Sequence, residues 1–336
     1  MVKTKVITRI AFLDYLRIFA FISVLIGHKF TSNITTAIAN DKLHATPKLM
    51  LEWLMPFVHG GGAGVIVFFL VSGYIISQVL SVEQTTSFLI RRVFRIYPLY
   101  IVAVLIQIFT QNMWENLSLK TVLLQLLLLG DFFNVPYTLG GVEWTLRVEI
   151  IFYGFMAALK YAGFWNERKH FLIFILLITI GLLSQLPAFP YGLFRGYFLI
   201  YGPFLFVGVG FWLYEHAWIS FGWFFLLKIM VFVNYFYLIS CYQPAWLSAQ
   251  FAILGFLLFT LAYIFRFKFQ STAFILVCSD LTYSVYLFHN WMFDFVKNHL
   301  IAIFTLTESA NLLSLALLFV ICYLLFVTQN YRASSQ

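Results

Sequence analysis

Eleven apolar runs, most of them separated by short polar or basic stretches, make up more than half of this chain, at about 10–30, 63–80, 97–112, 120–134, 144–161, 171–187, 197–214, 221–241, 247–265, 273–296 and 310–328. A helix of ~20 apolar residues crosses the ~30 Å hydrocarbon core of a bilayer, whereas runs of 10–14 are re-entrant, interfacial or buried. The chain is 62% hydrophobic and 10% charged, with a mean hydropathy of +0.91. A soluble domain carries about 25% charged residues. The fold class expected is therefore an all-α polytopic membrane protein. The largest weakly apolar stretches, about 31–59 and 112–120, are too short for a separate soluble domain. One transmembrane domain over 1–336 is expected, with its site built from spans and short loops.

Charge placement sets the topology. With Lys3, Lys5 and Arg9 inside, the second span returns Arg91, Arg92 and Arg95 to the inside, as the positive-inside rule asks. If all eleven runs cross, the cluster at Arg168–His170, Arg266 with Lys268, and Arg332 land outside. If either 120–134 or 144–161 dips instead of crossing, they return inside. About ten transmembrane helices plus one re-entrant or short helix follow, with both termini cytoplasmic; periodicity leaves open which of the two segments dips. The basic N-terminus and first run look like a signal peptide, but no small-residue cleavage site follows, so a retained first span is expected.

The net charge of +8 sits in small clusters between apolar runs. That is the pattern of cytoplasmic loops and lipid headgroup contacts, not of nucleic-acid binding. Cys241, Cys278 and Cys322 lie in or beside apolar runs without ligand spacing, so packed thiols are expected, with no metal and no disulfide. There is no repeat of 20–50 residues and no pair of broken-helix halves of the inverted-repeat transporter kind.

The first run, LDYLRIFAFISVLIGH at 13–28, holds Asp14, Arg17 and His28. Ionisable groups at membrane depth are costly and mark function or a named partner. Arg17 and His28 are eleven positions apart, which on a helix brings them within about 20° of one face and roughly 16 Å apart along the axis. Arg supplies a permanent charge and a planar fork for phosphate; His removes a hydroxyl proton near neutral pH. The plainer reading pairs Asp14 with Arg17 and leaves His28 at the interface.

Four further stretches carry chemistry. GVIVFFLVSGYIIS at 64–77 places Ser72 and Gly73 where helices approach closely, and packing alone explains them. The preceding HGGGAG at 59–64 lacks a P-loop lysine and reads as a flexible lead-in. RRVFRIYPLY at 91–100 offers three arginines for bidentate phosphate contact or ordinary anchoring, with Pro98 early in the next helix. VEWTLRVEIIFY at 142–153 holds Trp144, an i,i+4 pair of Glu143 and Arg147, and Glu149 with no local cation. Glu149 is expected to find its partner in His28, fixing the tautomer of a base. DLTYSVYLFHNWMFDF at 280–295 carries Tyr283, Tyr286, His289, Asn290 and Asp294, which could line a polar cavity for sugar hydroxyls or simply bond between helices. The topology puts His28, Glu149 and His289 at similar depth.

In this order, the five stretches resemble membrane-bound acyltransferase family 3, the multi-span O-acyltransferases of cell-surface polysaccharides. Arg17 and His28 match its Arg/Lys–ten residues–His element. Phe68, Phe69, Ser72 and Gly73 match FFxxSG. Arg91, Arg92, Arg95, Ile96, Pro98 and Tyr100 match RRxxRIxPxY. Trp144, Thr145, Leu146, Val148, Glu149, Phe152 and Tyr153 match the W-S/T-L-x-V-E-x-x-F-Y element. Tyr286, Leu287 and His289 match the Y-L-x-H end of the late S-Y/V-x-x-Y-L-x-H element, with Ser284 just before them. Ile150 departs from the pattern, since many members carry a second acidic residue there.

The resemblance implies an acyl-CoA donor, acetyl-CoA above all, a ten-span core and a surface glycan or lipid-linked saccharide acceptor, in a bacterial inner membrane. Some members append an extracytoplasmic esterase-like domain, which this chain is too short to hold. The expected catalytic residues are His28, Glu149 and Arg17. Arg91, Arg92, Arg95 and Arg17 are expected to hold the donor's phosphates, and Ser72, Trp144, Tyr286, His289 and Asn290 the acceptor. Membrane lipid is a further partner. A lipid-linked glycan transporter or flippase is the alternative from another class; a pure scaffold leaves the buried ionisable residues unexplained.

Overall fold

The computed structural model describes residues 9–113, 117–165, 168–188, 194–304 and 309–334, with side chains as far as 327. Among the described residues the regular structure is helical, without strands: α1 Ala11–Lys29, α2 Thr31–Ala39, α3 Ala45–Val58, α4 Gly62–Val82, α5 Thr85–Thr110, α6 Leu119–Leu126, α7 Glu143–Tyr161, α8 Lys169–Leu183, α9 Tyr197–Tyr201, α10 Phe204–Glu215, α11 Phe221–Tyr242, α12 Phe251–Ile264, α13 Ala273–Phe288, α14 Trp291–Phe304 and α15 Ala310–Ser334. Seven helical stretches in the described residues are long and apolar enough to cross a membrane: Ala11–Lys29, Ala45–Val82, Thr85–Thr110, Tyr197–Glu215, Phe221–Tyr242, Pro244–Ile264 and Ala310–Val327. The helices α8 and α13 are apolar but shorter.

The helix α4 is the hub, packed against α1, α10 and α12. It is antiparallel to α1. Gly27 meets the turn at Gly61, the Ala20 carbonyl lies over Gly64, and Phe12 packs edge-on to Tyr74 at 5.9 Å. Small residues allow this closeness: a Cβ on Gly73 would overlap the Leu205 carbonyl of α10, and one on Gly208 would overlap the Leu70 carbonyl of α4. The turn His59–Gly61 is therefore a tight junction and not a flexible lead-in, with Gly60 and Gly61 at φ +58° and +72° and the Trp246 ring against Gly60. Such backbone favours glycine.

Several predicted boundaries change. The run 120–134 is helical only over α6, about 12 Å at 1.5 Å per residue, and then breaks into 3-10 turns at Gly130–Phe133 and Leu139–Gly141. The neighbouring 144–161 run forms all of α7. The span predicted at 97–112 begins at Thr85, so the arginine cluster rides inside α5, and Pro98 is mid-helix rather than near its start. The run 273–296 is two helices with His289 and Asn290 at the break. The run 197–214 divides into α9 and α10 at Gly202–Pro203, and the weakly apolar 31–59 stretch carries α2 and α3. Of the three thiols only Cys322 is buried; Cys241 is exposed and Cys278 half-buried.

Candidate active site

Arg17, Ala20, Phe21, Val24, Gly27 and His28 form one stripe of α1, and all six line cavities inside the helix bundle. Their spacing of three, four and seven is one face of a 3.6-residue helix. The arginine and the imidazole thus share a face, as the sequence spacing requires.

Three cavities follow one another along that stripe. The first, about 520 Å³, is bounded by Arg9, Asp14, Arg17, Gln78, Arg95 and Asp280. Next comes a narrow waist of about 70 Å³ that includes Arg17, Ser72, Arg92, Arg95 and Glu149 in its wall. The third, about 410 Å³, is an aromatic chamber containing His28, Trp144, Tyr197, Tyr201, Trp246 and Asn290. The first two share Arg17, Ile75, Arg95 and Tyr283, and the last two share Val24, Val65 and Tyr286. The waist has the smallest volume of the three.

At the first cavity Arg9 pairs with Asp14 at 2.9 Å and with Asp280 at 2.9 Å. The Ser279 hydroxyl donates to Asp14 at 2.6 Å and accepts from Arg17 at 3.3 Å. Asp14 is thus satisfied without Arg17, so the plain Asp14–Arg17 pair does not form. The Arg17 guanidinium keeps its remaining donors for the cavity.

The arginine cluster divides. Arg92 and Arg95 face the waist, and the Arg92 Nε is buried without a hydrogen-bond partner. Arg91 turns away and pairs with Glu83 at 2.8 Å. Of the three arginines expected to hold phosphate, Arg92 and Arg95 line the cavities, and Arg91, on a different side of α5, does not.

The sequence pairs His28 with Glu149; the structure does not. Glu149 lines the waist, where it accepts hydrogen bonds from the Ser72 hydroxyl of α4 and, at 2.9 Å, from the Tyr153 hydroxyl one turn along. His28 lies in the chamber instead, and its Nδ1 is 2.9 Å from Nε2 of His289. The helix break after α13 turns the His289 ring onto α1. His289 does not line the chamber but stands behind His28, only 1% exposed. The predicted Glu143–Arg147 pair is also replaced. Arg147 binds Asp131 and the Leu128 carbonyl, the latter at 2.6 Å, while Glu143 takes the Thr138 backbone N–H at 2.5 Å. The irregular 127–142 stretch supplies those partners, and it was invisible to an i,i+4 rule.

The other expected residues fall on the cavities. Ser72 is in the waist and Trp144 in the chamber wall, edge-on to Tyr197 at 5.0 Å. Asn290 donates to the Gly140 carbonyl at 2.8 Å. Tyr286 stands between waist and chamber, its hydroxyl bonded to Thr145 at 2.6 Å and to the Val142 carbonyl at 3.0 Å, and its ring parallel to Phe68. Sequence reasoning missed Tyr197, Tyr201 and Trp246. Tyr197 and Tyr201 do carry an i,i+4 signal, but in a chain that is 21% aromatic it does not stand out. Among the described residues no three His, Cys, Asp or Glu side chains gather where they could hold a metal ion.

A family model described as an acyltransferase domain, Acyl_transf_3, matches residues 10–328. No curated protein and no solved structure matches the chain. Since the matched segment is nearly the whole chain and includes every cavity residue except Arg9, the protein belongs to acyltransferase family 3, a family of membrane acyltransferases.

Proposed function

We propose that this protein transfers an acyl group, acetyl in the first instance, from acyl-CoA to a hydroxyl of a surface glycan or its lipid-linked precursor. The observation that carries this reading is the run of cavities along α1, with arginines in the first cavity and the small-volume waist, and an imidazole in the aromatic chamber at the other end. The nucleotide and phosphates of acyl-CoA occupy the first cavity and the entrance to the waist, against Arg17 and Arg95 and then Arg92, whose planar forks suit phosphate. The pantetheine arm threads the waist past Ser72 and Glu149 and carries the thioester to Tyr286. Sugar rings stack on Trp144, Tyr197 and Trp246, with Asn290 as a polar contact.

His28 takes the acceptor's hydroxyl proton, the oxygen attacks the thioester carbonyl carbon, and the carbon–sulfur bond breaks. The proton then passes from His28 to the departing thiolate, giving ester and free CoA. Glu149 shapes the donor channel in this reading instead of orienting His28.

The single transmembrane domain has ten crossings: the seven long apolar helices with α7, α8 and the α13–α14 pair, while α6 is the short element. The crossing by α7 is supported by its ends. Trp144 lies in the chamber, and the Lys160 ammonium donates to the Leu80 and Glu83 carbonyls at the far end of α4. Arg9 and Phe326 lining one cavity supports both termini on one side, cytoplasmic by the positive-inside rule; the bacterial inner membrane is proposed on the family resemblance alone.

Membranes holding the protein, given labelled acyl-CoA and an extracted glycan acceptor, should release CoA only when both are present, and the glycan should gain the mass of one acyl group per modified unit. Translocation of unmodified glycan with no consumption of acyl-CoA would instead make it a transporter.

A further inference from the structure

Two histidines from different helices meet behind the chamber, and their hydrogen bonds have only one consistent direction. The Nδ1 of His289 lies 2.7 Å from the backbone carbonyl oxygen of Tyr286. A carbonyl can only accept, so Nδ1 of His289 carries a hydrogen. A neutral imidazole has one N–H, so its Nε2 is then a bare acceptor. That acceptor is the atom 2.9 Å from Nδ1 of His28. The ring centroids are 5.0 Å apart and the planes 25° from parallel, so the rings meet edge to edge in nearly one plane, as an N–H···N bond requires. Nδ1 of His28 must therefore donate, and its Nε2 is left with a free lone pair.

We infer that His289 is a positioning residue for His28: the Tyr286 carbonyl fixes the tautomer of His289, and His289 fixes that of His28 with Nε2 bare for the acyl-transfer step. This rests on the acyltransferase reading above. Tyr286 is itself braced on α7, through Thr145 and the Val142 carbonyl, so three helices hold the relay. Carboxylates do this task for many catalytic histidines. Here, among the described residues, neither ring bonds to one. The charged groups that face the pair are Lys29, beside His28 on α1, and Asp294 of α14, which pairs with Lys29 at 2.8 Å.

When His28 takes the acceptor's proton at Nε2, its Nδ1–H still points at the His289 lone pair, which spreads the new charge over two rings. The same bare nitrogen is required if His28 attacks the thioester itself, so the relay holds for either order of steps.

The test is steady-state kinetics of the full chain in membranes, with acyl-CoA binding measured alongside, for His28→Ala, His289→Ala, His289→Gln and His289→Lys. His289→Ala should lower kcat by roughly 10–100-fold, the size of effect when a metal-bound histidine loses its outer partner, with both KM values within about twofold of wild type. His289→Gln places an amide oxygen where it accepts from Nδ1 of His28 and should recover much of the loss. His289→Lys presents only donors and should not. Unchanged kcat in His289→Ala with His28→Ala inactive would overturn the relay alone, as would equal losses in the Gln and Lys variants. Full activity in His28→Ala would overturn the acyltransferase assignment of His28 itself.

Discussion

Glu149 of α7 accepts the Ser72 hydroxyl of α4 in the waist between the first cavity and the chamber, away from His28. Removing the carboxylate leaves the Ser72 and Tyr153 hydroxyls without their acceptor, at about 1–3 kcal/mol for each unsatisfied buried group. Glu149→Ala should raise the KM for acyl-CoA severalfold and leave the acceptor's KM near wild type. A fall in kcat with both KM values unchanged would return Glu149 to the proton-transfer step.

The arginines of α5 should separate in binding measurements. Arg92→Ala and Arg95→Ala each remove a charged hydrogen-bond donor from the donor path, where such bonds contribute about 1.5–3 kcal/mol. Acyl-CoA affinity should weaken by roughly tenfold or more in each. Arg91 is exposed and paired with Glu83, and surface pairs contribute about 0–1 kcal/mol, so Arg91→Ala should bind acyl-CoA like wild type. Equal weakening in all three variants would contradict the division of the cluster.

The buried Arg147–Asp131 pair, with side chains 6% and 5% exposed, ties α7 to the irregular stretch before it. Breaking a buried pair from one side costs about 3–5 kcal/mol, whereas replacing both partners costs far less. Arg147→Met should lower the thermal midpoint in detergent strongly, and adding Asp131→Asn should restore part of it. Additive losses would show that the pair is not coupled.

The α4–α10 crossing depends on Gly73 and Gly208, where a Cβ would meet backbone that cannot move aside. Overpacking of this kind costs about 1–3 kcal/mol. Gly73→Ala should reduce detergent stability and disturb the neighbouring Ser72. Wild-type stability would mean the helices can part without cost.

Helical class, the membrane and the α1 stripe were legible because hydropathy and the 3.6-residue period are local properties. The three cavities used Arg17, His28, Ser72, Trp144, Tyr286 and Asn290, all read from sequence. Partner choice was not local. Glu149 lacked a cation at i±3 or i±4, and nothing in one sequence distinguishes a distant His28 from a facing Ser72. His289 was read as a cavity residue because the helix break that turns it behind His28 falls inside an unbroken apolar run. The Arg147 partner came from 127–142, where 3-10 turns and left-handed residues such as Asn134 and Leu139 defeat periodic reasoning.

The most direct test of the account is acyl transfer by His28→Ala, measured with labelled acyl-CoA and glycan acceptor beside acyl-CoA binding to the same preparation. A positioned general base contributes about 10²–10⁴-fold. The account predicts a loss of that size in turnover with donor affinity intact, because His28 lies in the chamber and the arginines line the waist and the first cavity instead. Turnover close to wild type, with the protein inserted and binding acyl-CoA, would contradict it.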